Sequence, residues 1–420
     1  MELIRKQLGR GIRLSYLPSE KFKTELFSAN FVLPLQKETL ELDSLLGSVL
    51  RRGCERYSDM KQISEALDLL YGAQVTPAFR RKSERCCVGF AASCIDGAFA
   101  PDGEPLLERV ADILGELLLH PALEGGAFRA DYVRQEKDNL IDAIRSRVND
   151  KREWADIRLM QELCAGEPYG LSREEAAVES ITPQLLFARW ETVLRTAPLE
   201  LFYCGSAPIQ RVEAALGHAL RDLPRGALLT LPPVLPHVPR SEVLRVNERM
   251  DVTQGKLAMG FSCTAADVPA MILANTLFGG SSNSKLFMNV REKLSLCYYA
   301  SSGYHRSKGL VTVSSGVEFQ NFQRAYDEIM AQLDAVQRFE LEEWELPGAR
   351  STVRSAFRAY ADSQRRLEDF TLGESVSGED RLVEDYLREL ETATPERIQA
   401  AAQTMRLDTV YFLSGKEARA

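Results

Sequence analysis

The chain has 420 residues, of which 45% are hydrophobic and 27% are charged, as is typical of a globular protein with two to four domains. Its net charge of −8 argues against non-specific binding to nucleic acid or to anionic membranes. The N-terminal stretch has no long apolar core of the kind that a signal peptide needs, and no later run approaches the roughly 18 apolar residues of a membrane span. We therefore expect a cytoplasmic protein without nucleic-acid or membrane partners.

Two strands, Leu8–Leu17 and Glu25–Leu33, are predicted before the first helix, Leu40–Gly53. Apolar residues in that helix recur with a spacing that places them on one face, and Ser44 and Ser48 lie one turn apart on the adjoining face. Gly47 lies beside the two serines. A mid-helix glycine costs about 1 kcal/mol relative to alanine, so it indicates either tight packing or a relaxed constraint.

A helix over Met60–Tyr71 follows, with Ser58 and Asp59 as its N-cap residue types. Strands are predicted at Ala73–Phe79 and Arg85–Ser93, and helices at Leu106–Leu119 and Arg129–Val148. Pro77 cannot donate to a ladder of backbone hydrogen bonds, so the strand that contains it is predicted to be an edge strand or to carry a bulge.

An internal repeat is the clearest sign of domain organisation. Thr182-Pro183 opens a helix that is followed by the buried strand Leu201–Gly205, and about 210 residues later Thr394-Pro395 opens a helix that is followed by Val410–Gly415. Leu257–Ser262, which leads into a helix over Val268–Phe278, likewise parallels the second strand and first helix of the chain.

The repeat predicts an α+β protein of two tandem homologous domains, each a mainly antiparallel sheet with helices packed on one face. We place the domains at residues 1–225 and 241–420. Between them, four prolines within Leu231–Pro239 predict a stiff, extended linker over residues 226–240.

Residues that could bind metal or nucleotide give little signal. Eight cysteines without a C-x-x-C pair are expected to be small buried hydrophobic residues. No two of the four histidines lie within a helical turn of each other, so the spacing predicts no metal and no cofactor, although folding could still bring histidines together. The loop Gly279–Lys285 lacks the G-x-x-x-x-G-K-[ST] spacing of a phosphate-binding loop.

The segments Gly53-Cys54, Ser58–Leu67 and Gly72–Thr76 resemble the start of the insulinase and processing-peptidase (M16-type) family. In active members, a helix with the motif H-x-x-E-H precedes a Gly-Thr pair, which Gly53-Cys54 matches in part. Counted back from Gly53, the two zinc-binding histidines and the general-base glutamate are replaced by Ser44, Ser48 and Gly47.

Zinc hydrolysis needs three protein ligands, an open position for water and a carboxylate that takes the proton of that water. Serine hydroxyls are weak zinc ligands, and glycine offers no base. The third ligand of the family is a glutamate on a later helix, which the segment Gln135–Ile144 resembles: Glu136 matches its first acid, and Ala143 stands at the ligand position. The resemblance therefore implies no catalytic residue and no zinc here.

The segment Leu286–Tyr299 is similar to the second-domain segment of the family, in which V-R-E-x-x-x-L-x-Y follows a Gly/Ser loop. In active members the Arg and Tyr of that segment contact the substrate backbone. The resemblance implies peptide contacts by Arg291 and Tyr298, with Tyr299 as a substitute for Tyr298. It also implies contacts by the loop residues Gly279, Gly280 and Ser281. Alternatively, Arg291 pairs with a neighbouring acid and the tyrosines pack in a sheet.

Two further matches are altered. Glu167-Pro168-Tyr169-Gly170 resembles the H-P-Y-G turn of the family with its histidine replaced, and Thr76-Pro77-Ala78 stands where the family has Asn-Ala on an edge strand. That edge captures substrate by strand addition in active members. Pro77 removes one donor from it, or else protects the edge against aggregation.

The resemblance implies a non-catalytic member, similar to the inactive subunits of processing peptidases. Its partner would be an active zinc-peptidase sibling, with which it would close a chamber around a peptide or small protein. Two alternatives stay open: the chain cleaves peptides alone by an unconventional site, or it is a purely structural scaffold.

Overall fold

The computed structural model describes residues 3–415, so residues 1–2 and 416–420, at the outer ends of the two predicted domains, lie outside the described residues. The described strands are β1 Ile4–Gly9, β2 Ile12–Pro18, β3 Thr24–Pro34, β4 Gln74–Lys82, β5 Arg85–Ile95, β6 Leu123–Glu124, β7 Ala127–Phe128, β8 Leu199–Gly205, β9 Leu244–Met250, β10 Gly255–Ser262, β11 Cys297–His305, β12 Leu310–Val317 and β13 Arg406–Gly415.

The α-helices of the same residues are α1 Leu40–Leu50, α2 Met60–Asp68, α3 Leu106–Leu119, α4 Ala130–Ser146, α5 Lys151–Leu163, α6 Glu175–Glu179, α7 Pro183–Thr196, α8 Ile209–Ala219, α9 Val268–Phe278, α10 Phe322–Gln337, α11 Glu345–Arg358, α12 Gln364–Ser377, α13 Val383–Thr392 and α14 Pro395–Ala402. A π-helix, Leu286–Lys293, follows α9 and its glycine-rich loop.

The chain divides into two compact units, and neither is a continuous segment. The first runs from the start of the chain to Arg145 and adds Arg173–Pro233 and Ser363–Asp380. The second comprises Ser146–Ser172, Val234–Asp362 and the part of the chain from Arg381 onwards. The predicted domains 1–225 and 241–420, which describe a duplication along the sequence, stay a prediction. Each compact unit also contains one helical segment from the other half of the sequence.

The two large sheets have the same strand arrangement. In the first unit the order is β1-β2-β8-β3-β5-β4, with β2 and β8 parallel and the other neighbours antiparallel. In the second unit the order is β9-β13-β10-β12-β11, with β9 and β13 parallel and the other neighbours antiparallel. Without β1, the first order repeats in the second, as expected of a duplicated α+β domain.

Both faces of each sheet are covered. Because side chains alternate along a strand, Phe31 of β3 faces α1 and α7, whereas Val32 packs against Leu372 and Val376 of α12. In the second unit, Phe261 of β10 packs on α9, and the opposite face of that strand packs on α5 through Ala258. The α+β prediction is confirmed, and the structure adds one helix on the second face of each sheet.

These two added helices, α5 and α12, are the exchanged ones. Helix α5 lies in the first half of the sequence and belongs to the second unit. Helix α12 lies in the second half of the sequence and belongs to the first unit. The chain passes between units at Pro233 and Val234, within the predicted linker, where it forms neither helix nor strand.

All eight cysteines are free and buried, which confirms their prediction as small hydrophobic residues. Among residues 3–415, no helix combines the length and the apolar character that crossing a membrane requires.

Candidate functional site

Ser44 and Ser48, which the resemblance assigns to the zinc-ligand positions, lie on α1. The Ser44 side chain is buried, and its hydroxyl donates to the Leu40 carbonyl one turn earlier, over 2.7 Å. That bond is internal to the helix and turns the hydroxyl back onto the backbone. Ser48, one turn further on, is half-buried.

Gly47, at the position of the general base, packs closely on β4. A Cβ atom there would lie 3.1 Å from the Cβ of Pro77 and 3.6 Å from the Gly89 carbonyl oxygen. The glycine therefore permits close packing, the first of the two readings of this residue. A glutamate at position 47 would need Pro77 to move.

The later helix of the family pattern corresponds to α4. Its first acid, Glu136, is paired with Arg52, which follows α1. Ala143 is exposed and carries no ligand atom on its side chain. The four positions that the resemblance assigns to the zinc ligands and the general base thus carry two hydroxyls, one methyl group and one hydrogen.

The acids of α1 itself are engaged elsewhere. Asp43 has no exposed surface and accepts two hydrogen bonds from the Arg189 guanidinium of α7, at 2.7 and 2.9 Å. Glu41 is buried and accepts from the backbone N–H of Glu174. Sequence analysis did not find these pairs, because their partners are distant in the chain.

The predicted substrate loop follows α9 in the second unit. A Cβ at Gly279 would lie 2.8 Å from the backbone nitrogen of Ser302, which donates to the Gly279 carbonyl over 2.9 Å. The N–H groups of Gly279 and Gly280 both donate to the Asn275 carbonyl, and the Ser281 carbonyl accepts from the Ser284 hydroxyl. These bonds give the loop a defined backbone conformation.

Arg291 lies on the π-helix after this loop. Its guanidinium lies 4.6 Å from the ring centre of Phe287 and 3.5 Å from a carboxylate oxygen of Glu292. The side chain stays partly exposed. Arg291 thus pairs with a neighbouring acid, and its peptide contact stays a prediction.

Tyr298 and Tyr299 lie at the start of β11, in an irregularity between Cys297 and Ala300. Tyr298 is 62% exposed and donates to a Glu318 carboxylate oxygen over 2.9 Å, a bond that raises the pKa of the phenol. This exposure argues against packing within the sheet as its role.

Tyr299 is half-buried, and burial raises its pKa. The Arg152 guanidinium lies 4.3 Å from its ring centre, and the Lys256 ammonium lies 5.8 Å from it. Both cations also line an open cavity of about 690 Å³ between the start of α5 and the turn after β9. Tyr299 thus lies next to an open cavity that is lined by charged side chains.

The structure groups the predicted residues into two sets. Ser44, Gly47, Ser48 and Ala143 belong to the first compact unit. Gly279, Gly280, Ser281, Arg291, Tyr298 and Tyr299 belong to the second.

Comparison with known proteins places this geometry in a family. Residues 180–353 match the sequence model of a domain described as the peptidase M16 inactive domain. Over 414 residues the chain is 33% identical to the probable inactive metalloprotease YmfF of Bacillus subtilis (strain 168), covering 97% of this chain and 96% of that protein.

Solved structures agree on the fold. A conserved protein from Enterococcus faecalis V583 superimposes with a TM-score of 0.90 at 25% identity, over 100% of both chains. A peptidase M16 inactive domain from Pseudomonas fluorescens superimposes with a TM-score of 0.82 at 16% identity, again over 100% of both chains. The chain therefore belongs to the M16 peptidase family, as an inactive homologue.

Proposed function

We propose that this chain is the non-catalytic subunit of a two-chain peptidase, in which it binds peptide and completes the chamber of an active zinc-bearing sibling. One observation carries the proposal: the positions of α1 and α4 that the resemblance assigns to hydrolysis carry no zinc ligand or base, while the glycine-rich loop is followed by the partly exposed Arg291 and the exposed Tyr298.

The first unit supports a non-catalytic role. A water molecule near Ser44 and Ser48 would find no carboxylate at position 47, where backbone and Pro77 fill the space. The buried Asp43 is committed to Arg189 through two hydrogen bonds. A carboxylate held in this way is poorly placed to accept a proton from water.

The second unit supports peptide binding. The Arg291 guanidinium is a donor suited to the carbonyl groups of an extended peptide, and the Tyr298 hydroxyl can accept from a peptide N–H while it donates to Glu318. The loop that precedes them is fixed by backbone bonds, which limits the ordering cost on binding. The cavity beside Tyr299 offers additional volume for a side chain of the bound peptide.

The test is reconstitution with a sibling chain that carries an intact H-x-x-E-H motif and is encoded in the same genome. Co-expressed, the two chains are expected to co-purify in equal amounts and to cleave a quenched fluorogenic peptide pool in a chelator-sensitive way. This chain alone is expected to give no turnover. Turnover by the purified single chain would overturn the proposal.

Substitutions in the reconstituted pair test the peptide contacts. Arg291→Ala and Tyr298→Phe each remove a hydrogen-bonding group worth about 0.5–1.5 kcal/mol to a bound peptide, so a roughly 2- to 13-fold loss in kcat/KM is expected. Two matched controls lie in the same unit: Tyr326→Phe on α10 and Arg338→Ala directly after the last residue of α10. Both should leave kcat/KM unchanged. Unchanged processing by both test variants would favour a scaffold without peptide contact.

A further inference from the structure

A buried polar cluster forms around the altered H-P-Y-G turn. Cys164 is the C-cap residue that follows α5, and the Glu167 N–H donates to the Cys164 carbonyl over 3.0 Å. Gly166 adopts a positive φ of 84° between them, which favours glycine. This tight C-x-x-E turn brings the thiol and the carboxylate of two nearby residues to the same point.

The third member, His237, comes from the proline-rich segment. It is buried, with Nδ1 at 2.6 Å from a Glu167 oxygen and Nε2 at 3.2 Å from an Asp408 oxygen. The ligand atoms of Cys164, Glu167 and His237 all lie within 4.8 Å of one another. Cysteine, histidine and carboxylate are the three ligand types that zinc takes in proteins.

We propose that Cys164, Glu167 and His237 bind a Zn²⁺ ion that fastens the proline-rich segment around His237 to the turn after α5, within the second unit. Donor atoms of a tetrahedral zinc site lie about 3.5 Å apart, given bond lengths of about 2.0–2.3 Å, so shifts on the order of 1 Å close the site. Asp408 keeps its hydrogen bond to Nε2 and orients the imidazole, as carboxylates commonly do behind zinc-bound histidines.

The charges of the cluster allow one Zn²⁺ ion to replace two protons. Without metal, both ring nitrogens of His237 face carboxylate oxygens, an arrangement that holds the imidazolium form. Binding of one Zn²⁺ releases that imidazolium proton and the thiol proton of Cys164, so the net charge of the buried cluster does not change. The buried Lys308 ammonium, 2.7 Å from the other Glu167 oxygen, stays paired with it.

This site is independent of the degenerate positions on α1, which belong to the other compact unit. Its proposed role is to hold two segments of the chain together. Its occupancy can therefore be measured without any assay of peptidase activity.

The full chain is stripped with a chelator, dialysed and titrated with Co²⁺ as a spectroscopic probe. We expect one Co²⁺ per chain with a thiolate-to-cobalt charge-transfer band that Zn²⁺ abolishes. Cys164→Ser should lose the band, and Glu167→Gln should weaken binding at least about tenfold. Cys297→Ser, a buried thiol elsewhere in the same unit, should keep both band and affinity. A charge-transfer band that survives in Cys164→Ser, or no binding by the wild type, would overturn the proposal.

A second measurement needs no variant. Zn²⁺ should slow the alkylation of Cys164 by iodoacetamide in mildly denaturing buffer, read peptide by peptide in a mass spectrometer, with Cys297 as the internal control. Equal rates for Cys164 with and without Zn²⁺ would count against the site.

Discussion

Glu25 is a carboxylic acid in the core of the first sheet. It is buried, the Tyr203 hydroxyl donates to it over 2.6 Å, and the thiol of Cys94 lies 3.9 Å away. Burial raises the pKa of Glu25, although the hydrogen bond from Tyr203 opposes that shift. The folded state therefore favours the protonated acid, and its ionisation at higher pH costs stability.

Glu25→Gln is expected to stabilise the protein increasingly as pH rises. Because the folded pKa is raised, the contribution of Glu25 to stability is present below its unfolded pKa and is lost as pH rises through the folded value. Glutamine keeps the acceptor for Tyr203 and cannot ionise. Thermal melts from pH 4.5 to pH 8 should show a growing advantage of the variant. The exposed Glu124→Gln should show no such trend, and parallel curves for Glu25→Gln would contradict the assignment.

Gly279→Ala is expected to destabilise the protein by about 1–3 kcal/mol, because the added Cβ would lie 2.8 Å from the backbone nitrogen of Ser302. Gly217→Ala is the matched control: no atom lies within 4 Å of a Cβ there, inside α8, so a gain of up to about 1 kcal/mol is expected. Urea denaturation measures both. Equal effects of the two substitutions would show that the loop tolerates a side chain.

At the scale of elements, a buried acid is one of the polar groups that attach α12 to the first sheet. Glu368 is 3% exposed and accepts from the Ser28 hydroxyl of β3 at 2.7 Å and from the Arg80 guanidinium of β4 at 2.6 Å. Apolar contacts of Leu372 and Val376 extend this attachment.

Glu368→Ala should destabilise the fold by about 3–5 kcal/mol, because it leaves the guanidinium of Arg80 partly buried without its main partner. Asp369→Ala, on the half-exposed side of the same helix, removes ion pairs with Lys82 and Arg80 that are each worth about 1 kcal/mol or less. Chemical denaturation monitored by circular dichroism compares the two. A loss below about 1 kcal/mol for Glu368→Ala would mean that the apolar contacts alone hold α12.

Local sequence signals were sufficient to predict many of the helices and strands. Asp59 caps α2 by accepting from the Gln62 N–H, and Thr182 and Thr394 cap α7 and α14 in the same way. Pro77 lies on β4, an edge strand as predicted. The placement of α5 and α12 could not be predicted, since the periodicity of a helix defines its apolar face and not the sheet which that face will cover.

The same limit applies to the site. Ser44, Gly47 and Ser48 could be located because helical spacing and the nearby Gly53 define them along the chain. The pair of Asp43 with Arg189 joins residues 146 positions apart, and that of His237 with Asp408 joins residues 171 apart. Such pairs depend on tertiary packing, which one sequence does not reveal.

At the scale of the whole molecule, the exchange of α5 and α12 makes each compact unit depend on both halves of the sequence. Residues 1–233 alone lack α12, which covers Val32 and Cys87 in the first unit. Residues 234–420 alone lack α5, which covers Ala258 and Tyr411 in the second. Each half would therefore expose one apolar sheet face to water.

We expect fragments 1–233 and 234–420 to be aggregated or only partly folded when expressed singly, and to form a one-to-one complex when co-expressed. The cause is that a helix of the other fragment packs on one apolar face of each sheet. Size-exclusion chromatography and thermal melts measure this outcome. As a control, the full chain with a protease site inserted between Pro233 and Val234 should stay associated after cleavage and melt cooperatively. A cooperative melt of either fragment alone, at the temperature of the intact chain, would show that the exchanged helices are dispensable for folding.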